Sequence, residues 1–98
     1  MTNYAEDTFK PHLRITILRL LEHQGGYRSN CSLLRDAAEA VGLTATRDQV
    51  RVELAWLAEQ GLVTVRQVEQ LMIATATERG LDVAAGRARV PGVKTPSP

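Results

Sequence analysis

The sequence has little of the chemistry on which secreted, metal-binding and membrane proteins depend. Among its 98 residues there is one cysteine, Cys31, and aromatic residues make up 4%. A single cysteine excludes an internal disulfide framework and a multi-cysteine zinc site. No apolar run approaches the roughly 20 residues of a membrane-spanning helix, and the polar first residues lack the apolar core of a secretory signal. We therefore expect one cytoplasmic domain without a membrane partner.

Candidate catalytic and metal-binding groups are also scarce. His12 and His23 lie eleven residues apart in the sequence, about 16 Å along a helix, so they cannot share one metal ion. Gly25-Gly26 lacks the Lys and Ser that follow in a phosphate-binding loop. Cys31 at a helix N-terminus could have a lowered thiol pKa, although such a residue more often acts as a small apolar side chain. We expect no enzyme activity, no metal and no cofactor.

The charge is nearly balanced but unevenly distributed. The chain has 12 Lys and Arg against 11 Asp and Glu, and three of these cations but none of the acids follow Asp82. The first 82 residues therefore carry nine cations and eleven acids, a net charge of −2. A nucleic-acid-binding domain usually has a clear basic excess. The acidic folded part thus favours a protein partner, whereas the basic C-terminal segment favours DNA.

The hydrophobic pattern predicts four helices, with a β-hairpin between the third and the fourth. The predicted helices span 11–24, 31–41, 47–60 and 77–85, and the predicted strands span 62–65 and 71–75, with a loop over 66–70. Asn30 and Thr77 are candidate N-caps, and Thr46 with Gln49 matches a capping box. Pro11 is predicted in the first turn of the first helix. Residues 1–86 are expected to form the domain and 87–98 a basic, proline-containing tail.

The order of these elements predicts the fold class. Only residues 42–45 separate the second and third predicted helices, which is the length of a helix-turn-helix corner. A hairpin directly after the third helix is the arrangement of a winged helix, in which that helix enters a major groove and the hairpin touches the flanking backbone. The expected class is mainly α with a small β-hairpin, a winged helix-turn-helix.

Three segments also carry a resemblance to a known family. The residues Arg47–Val50, Trp56–Thr64 and Thr77–Arg87 resemble a family of small winged-helix, ArsR-like proteins of Mu-like phages and prophages. The resemblance extends from about Leu13 to Lys94. It implies a winged-helix fold and a phage-encoded transcriptional regulator.

The candidate DNA-binding residues come from the third helix, the hairpin and the tail. They are Thr44, Thr46, Arg47, Gln49, Arg51, Arg66, Gln67, Arg87 and Arg89. Arg51 suits bidentate bonds to guanine and Gln49 to adenine, while the capped helix N-terminus suits a phosphate. Arg47 and Arg51 could instead form ordinary surface pairs with Asp48, and Arg66 could simply protect a strand edge. The tail could follow the DNA backbone as a flexible arm, or act as a packing strap.

Apolar residues outside the central stripes predict a homodimer. Ile15 and Leu18 lie off the main apolar face of the first helix, and Trp56 lies nearly opposite Val50 on the third. These three are the candidate dimer contacts, with the tail crossing over through residues 90–93; burial within one chain is the alternative. Two functions stay open. One is a dimeric regulator that binds double-stranded DNA, and the other is a protein-interaction module of phage assembly or host takeover.

Overall fold

The structure, a computed structural model, describes residues 4–96 and the side chains from residue 8 onward. In chain order its elements are α1 (Tyr4–Glu22), β1 (Arg28–Asn30), α2 (Cys31–Ala40), α3 (Arg47–Glu59), β2 (Val63–Val68), β3 (Leu71–Ala76) and α4 (Glu78–Ala84). A single 3-10 turn precedes β1. The predicted class, a mainly helical winged helix-turn-helix, is confirmed.

Local capping signals fix the starts of three helices, as predicted. Asn30 Oδ1 accepts a hydrogen bond from the Leu33 N–H at 2.9 Å at the start of α2. The Thr77 hydroxyl accepts from the Gly80 N–H at 3.0 Å at the start of α4. At α3 the Thr46–Gln49 capping box is complete. These bonds satisfy N–H groups that have no partner within the helix. The capping residues therefore mark the helix starts in the sequence.

Helix α1 is longer than predicted and contains Pro11 in its interior. It begins at Tyr4, so the predicted start at Pro11 is wrong. Proline has a φ angle that suits a helix, and its cost is one missing N–H donor and some crowding. The Pro11 carbonyl accepts a hydrogen bond from the Lys94 N–H at 3.2 Å, which joins this turn to the C-terminal segment.

The sheet has three strands rather than the two of a simple hairpin. Its order is β1-β3-β2, and both strand pairs are antiparallel. Sequence patterning missed β1, which has three polar residues and places Ser29 opposite Ala74. The predicted five-residue hairpin loop is also wrong, because Val68 pairs with Leu71 and leaves a two-residue turn. Glu69 in that turn has a φ of +55°, a conformation that Gly or Asn more often adopts. Because a glutamate adopts it here, no Gly or Asn marks the turn in the sequence.

The core forms around α1, which packs against α2, α3, α4 and the sheet. Its most deeply buried side chains are Leu13, Ile17, Leu18, Leu21, Cys31, Leu34, Val50, Leu54, Leu57, Leu62 and Val83. Ile15 and Leu18, predicted as dimer contacts, are 5% and 0% exposed within the single chain. That assignment is therefore corrected: α1 is covered on several sides, so its second apolar stripe belongs to the core.

The C-terminal segment packs on the domain instead of leaving it. Val90 is 5% exposed, and Val93 packs against the core. Arg14 Nη1 on α1 donates to the Gly92 carbonyl at 2.9 Å. The predicted boundary at residue 86 therefore does not separate a free tail, since the chain through residue 96 lies against α1 as a packing strap.

We expect Val90→Ala to lower the free energy of unfolding by about 2 kcal/mol, because two buried methyl groups are lost and a cavity remains. Urea unfolding followed by circular dichroism measures the change. The matched control is Val41→Ala, at a valine that is 63% exposed, where the change should stay within about 0.5 kcal/mol. Equal losses in the two variants would show that the segment is not held on the domain.

Candidate nucleic-acid interface

Helix α3 begins beside the N-terminal turn of α2, and Arg47 joins the two. Arg47 is exposed, and its Nη2 lies 3.4 Å from the Ser32 hydroxyl oxygen on α2. Thr44, in the connecting turn, is also exposed. Arg47 forms no ion pair with any residue that the structure describes. A guanidinium beside two helix N-termini, whose N–H groups carry partial positive charge, suits an anion such as a phosphate.

Gln49 and Thr46, both predicted to contact DNA, hold each other in the capping box. The Thr46 hydroxyl accepts from the Gln49 N–H at 3.0 Å, and Gln49 Oε1 accepts from the Thr46 N–H at 2.8 Å. Bidentate recognition of adenine needs the amide oxygen of Gln49 as an acceptor. That oxygen is occupied, so the assignment of Gln49 to base recognition is corrected to a capping role.

Arg51 reaches from α3 to the wing, the hairpin of β2 and β3, and its side chain is 32% exposed. Its Nη2 donates to the Gln70 carbonyl in the hairpin turn, and its Nη1 lies 3.9 Å from Asp48 Oδ1. Its Nε is buried without a hydrogen-bond partner among the described atoms. The predicted contact between Arg51 and guanine is therefore corrected: this side chain positions the hairpin relative to α3.

Arg51 also shapes the surroundings of Cys31, which is fully buried beneath the wing. Burial raises the pKa of the Cys31 thiol, while a hydrogen bond from the Met72 backbone and the nearby Arg51 and Arg47 guanidinium groups lower it. The net direction is a lowered thiol pKa. Full burial nevertheless makes Cys31 a packing residue rather than an accessible nucleophile.

The wing presents one free cation. Arg66 lies on β2 opposite Ile73, is exposed, and forms no ion pair within the described part of the chain. Gln67 is exposed and donates from Nε2 to the Glu69 carbonyl at 3.1 Å, so it helps to hold the turn. The carboxylate of Glu69 lies in the same turn, and it reduces the positive potential near the tip.

The outward ridge of α3 carries few groups that could recognise a base. It consists of residues spaced three or four apart: Asp48, Val52, Ala55 and Glu59. Val52 is 61% exposed and the Asp48 side chain 91%. The ridge contains two carboxylates and no cation, whereas phosphates and guanine edges attract positive donors. The positive groups of the predicted site therefore lie beside this ridge, at Arg47 and Arg66.

The two tail arginines differ in their surroundings. Arg87 Nε donates to Asp82 Oδ1 at 3.0 Å, and both side chains are partly exposed. Arg89 is exposed and has no ion pair within residues 8–96. The Arg87 pair neutralises one of the predicted DNA-contacting charges, so of these two arginines only Arg89 keeps a free positive group.

Trp56, the third predicted dimer contact, packs inside its own chain. The Arg14 guanidinium carbon lies 3.7 Å from the Trp56 ring centroid. Arg14 also donates from Nε to Glu53 Oε1 at 2.7 Å, and the Glu53 side chain is 4% exposed. Trp56 is thus half-buried within its own chain, and its contact with a second copy stays a prediction. Sequence reasoning missed Glu53, although its position three residues after Val50 places it on the inward face of α3.

No group of three or more His, Cys, Asp or Glu side chains within residues 8–96 is placed to hold a metal ion. His12 on α1 and His23, directly after that helix, both line one groove beside α1. None of the described helices has the length and apolarity that crossing a membrane requires.

Two proteins are similar to this chain along most of its length. The uncharacterized protein gp26 of Escherichia phage Mu is 48% identical over 85 residues, which cover 87% of this chain and 88% of gp26. An uncharacterized protein of Haemophilus influenzae is 36% identical over 86 residues, covering 87% of this chain and 83% of its own. No protein-family model matches the chain.

Two solved structures share the architecture. A complex structure of hsRosR-S1 superposes with a TM-score of 0.62 at 18% identity; the match covers 74% of this chain and 63% of that chain, less than two thirds of its length. A complex structure of hsRosR-S4 gives a TM-score of 0.65 at 16% identity and covers 83% and 70%. At such identities the likeness shows the fold alone.

Proposed function

We propose that this chain, which belongs to the family of gp26 of Escherichia phage Mu, binds double-stranded DNA as a phage-encoded regulator. One observation supports this most directly: the helix-turn-helix and the wing each present an exposed arginine that lacks an ion pair with any described residue, Arg47 and Arg66. In winged-helix proteins these are the two elements that reach the duplex. The fold supplies the architecture, and the two arginines supply the charge.

The contacts we propose are mainly to phosphates. Gln49 and Arg51, the two residues suited to base edges, already hold the helix cap and the wing. The outward ridge of α3 offers carboxylates and apolar groups. Phosphate contacts position a protein on DNA but carry little sequence information. We therefore propose modest sequence preference, with Arg89 adding a further backbone contact.

The proposal includes a dimer, because a regulator that recognises a two-fold symmetric DNA site needs two copies of its DNA-binding surface. Ile15 and Leu18 are buried within one chain, so the dimer uses other surfaces. Leu33 on α2 is 58% exposed and is one apolar group available for such a contact. Two copies that each contribute Arg47, Arg66 and Arg89 give about six phosphate contacts and a log–log salt slope of about −5.

A protein-interaction module is the second candidate. The ridge of α3 favours it, because Val52 and Ala55 form an exposed apolar strip flanked by Asp48 and Glu59. Such a surface suits a partner with an apolar centre and basic edges. In this function the ridge binds protein, and Arg47 and Arg66 play no part.

Fluorescence anisotropy with labelled random-sequence duplexes at about 50 mM salt tests the proposed function. We expect saturable binding, and we expect Arg66→Gln to weaken it about fivefold or more on every sequence, because a phosphate contact is lost. The matched control is Arg35→Gln, at an arginine on α2 already paired with Asp36 and Glu39. Its affinity should equal that of the unaltered protein. Complex stoichiometry from light scattering reports the dimer.

The two candidate functions give opposite results in this experiment. If the unaltered protein leaves every duplex free at about 50 mM salt, DNA binding is ruled out, since even non-specific contacts are visible there. If Arg66→Gln and Arg35→Gln weaken binding equally, the wing does not contact the duplex. In that case the Val52 strip becomes the surface to examine for a protein partner.

A further inference from the structure

A second site lies away from the wing, between α1 and the C-terminal segment. It is an open groove of about 450 Å³, which is within the usual size of small-molecule sites. One face of α1 forms one wall, residues 41 and 43 after α2 form another, and residues 94–96 form the third. Its lining residues include Ile15, Arg19, Leu20, Val41, Leu43 and Lys94.

The floor of the groove is apolar and partly open to solvent. Ile15, Leu20 and Leu43 line it, and Val41 at its edge is 63% exposed. When the apolar body of a ligand covers a valine that is exposed to this extent, the free energy of the complex is lowered. A polar or fully charged ligand would leave this floor without a contact.

The rim of the groove is cationic. Arg19 and Lys94 are exposed, and neither forms an ion pair with a side chain that the structure describes. No lining residue is acidic; a carboxylate beside the groove is that of Glu22, whose Oε1 lies 3.9 Å from His23 Nε2. Two unpaired permanent cations beside an apolar floor select a ligand that is anionic at one end and apolar along its body.

We infer that this groove binds a small amphiphilic carboxylate, with its apolar body on Ile15, Leu20 and Val41 and its carboxylate at Arg19 and Lys94. Arg19 is suited to a carboxylate because its planar guanidinium offers two parallel donors. The occupant is a free small molecule, because the groove is short and bounded on three sides by the same chain. The site is distinct from the arginines Arg47 and Arg66.

The groove adjoins the helix-turn-helix corner. Val41 and Leu43 belong to the segment that joins α2 to α3, and Leu43 donates its N–H to the Ala38 carbonyl at 2.8 Å to close α2. A ligand that packs on these residues contacts the segment that positions α3. This coupling rests on the proposed function, and it predicts that the bound carboxylate lowers DNA affinity; binding of the carboxylate itself does not depend on that function.

The binding step is tested with octanoate, titrated into the 15N-labelled full chain and followed by NMR. We expect saturable shifts at Leu20, Val41 and Lys94 with a Kd of about 0.1–1 mM, as expected for a ligand of this size. Octanol should bind at least about tenfold more weakly, because the charge-assisted bonds are lost. Octyltrimethylammonium should leave these resonances unchanged.

Variants separate the groove from general surface effects. Arg19→Gln should weaken octanoate binding at least about tenfold, and Val41→Asp should abolish it, because a carboxylate is placed on the apolar edge. Arg28→Gln, at an exposed arginine outside the groove, is the matched control and should bind octanoate as the unaltered protein does. No saturation by about 5 mM octanoate, equal affinity for octanol, or shifts confined to other surfaces would each overturn the assignment. So would octanoate binding that disappears at chain concentrations where light scattering shows a dimer, because a second copy then covers the groove.

The coupling step has its own measurement. Saturating octanoate should weaken DNA binding at least about fivefold in the unaltered chain and leave Val41→Asp unaffected. Octanoate binding without any DNA binding would overturn the proposed function and leave the groove assignment standing. DNA binding that octanoate does not change, despite an occupied groove, would overturn the coupling.

Discussion

Replacing Glu53 with alanine is expected to lower the free energy of unfolding by about 3 kcal/mol, because it leaves a nearly buried guanidinium without its counter-ion. The Glu53 carboxylate accepts from Arg14 Nε at 2.7 Å, and the two side chains are 4% and 13% exposed. The same guanidinium donates to the Gly92 carbonyl and lies over the Trp56 ring. Loss of Glu53 therefore disturbs α1, α3 and the C-terminal segment together. Urea unfolding with an unchanged m-value measures the loss.

Two companion variants make the Glu53 result specific. Glu59→Ala removes a carboxylate from the outer face of the same helix, and its effect should stay within about 0.5 kcal/mol. The double variant Arg14→Ala with Glu53→Ala should be less destabilised than the sum of the single variants, because neither charge is then left unpaired. A loss below about 1 kcal/mol for Glu53→Ala would show that water reaches the arginine and compensates it.

Gly80→Ala is expected to cost about 3 kcal/mol and to lower the Tm by about 15 °C. A Cβ at this position would lie 2.0 Å from the Leu62 carbonyl oxygen, which is backbone and cannot turn aside. That carbonyl also accepts the Thr77 N–H at 3.0 Å, and Arg79 Nη1 donates to the Gln60 carbonyl at 2.7 Å. Helix α4 would have to leave the corner between α3 and β2 to make room. Differential scanning calorimetry measures the change.

The control for this variant is Gly25→Ala. A Cβ at Gly25 would have no neighbouring atom within 4 Å, and Gly25 has no positive φ angle, so alanine there should leave stability unchanged or raise it by up to about 1 kcal/mol. If Gly80→Ala unfolds like Gly25→Ala, helix α4 is free to shift, and its close approach to Leu62 does not define its position. If Gly80→Ala does not accumulate as folded protein, the yields of folded protein are compared instead. The yield of Gly80→Ser should then still be lower than that of Gly25→Ala.

Local signals in the sequence predicted much of the fold. Asn30, Thr46 and Thr77 cap their helices as expected, because a cap depends on a side chain and an N–H only two or three residues away. The strand β1 was missed because its residues carry no apolar alternation; it forms through pairing with β3, which is more than 40 residues away. Pairing over such a separation depends on tertiary structure, and propensity does not reveal it.

The candidate site was predicted less completely, for a related reason. A helical wheel places Arg51 on the outside of α3, but its long side chain reaches back to the Gln70 carbonyl. Helical periodicity treats Gly80 as a weak helix former, whereas the space beside it is filled by the backbone at Leu62. The face of α1 that stays exposed likewise depends on how many elements pack around the helix. The hydrophobic pattern of α1 alone does not reveal how many there are.

The contact between Arg14 and Gly92 joins residues 78 positions apart, and Val90 fills part of the core. During synthesis from the N-terminus, α1 therefore emerges from the ribosome long before the residues that cover Trp56 and the end of the core. The nascent chain has to keep its apolar α1 surface from other chains until residues 90–93 have been added, since exposed surface of this kind promotes aggregation. Completion of the fold therefore waits for the segment that Val90 and Gly92 anchor.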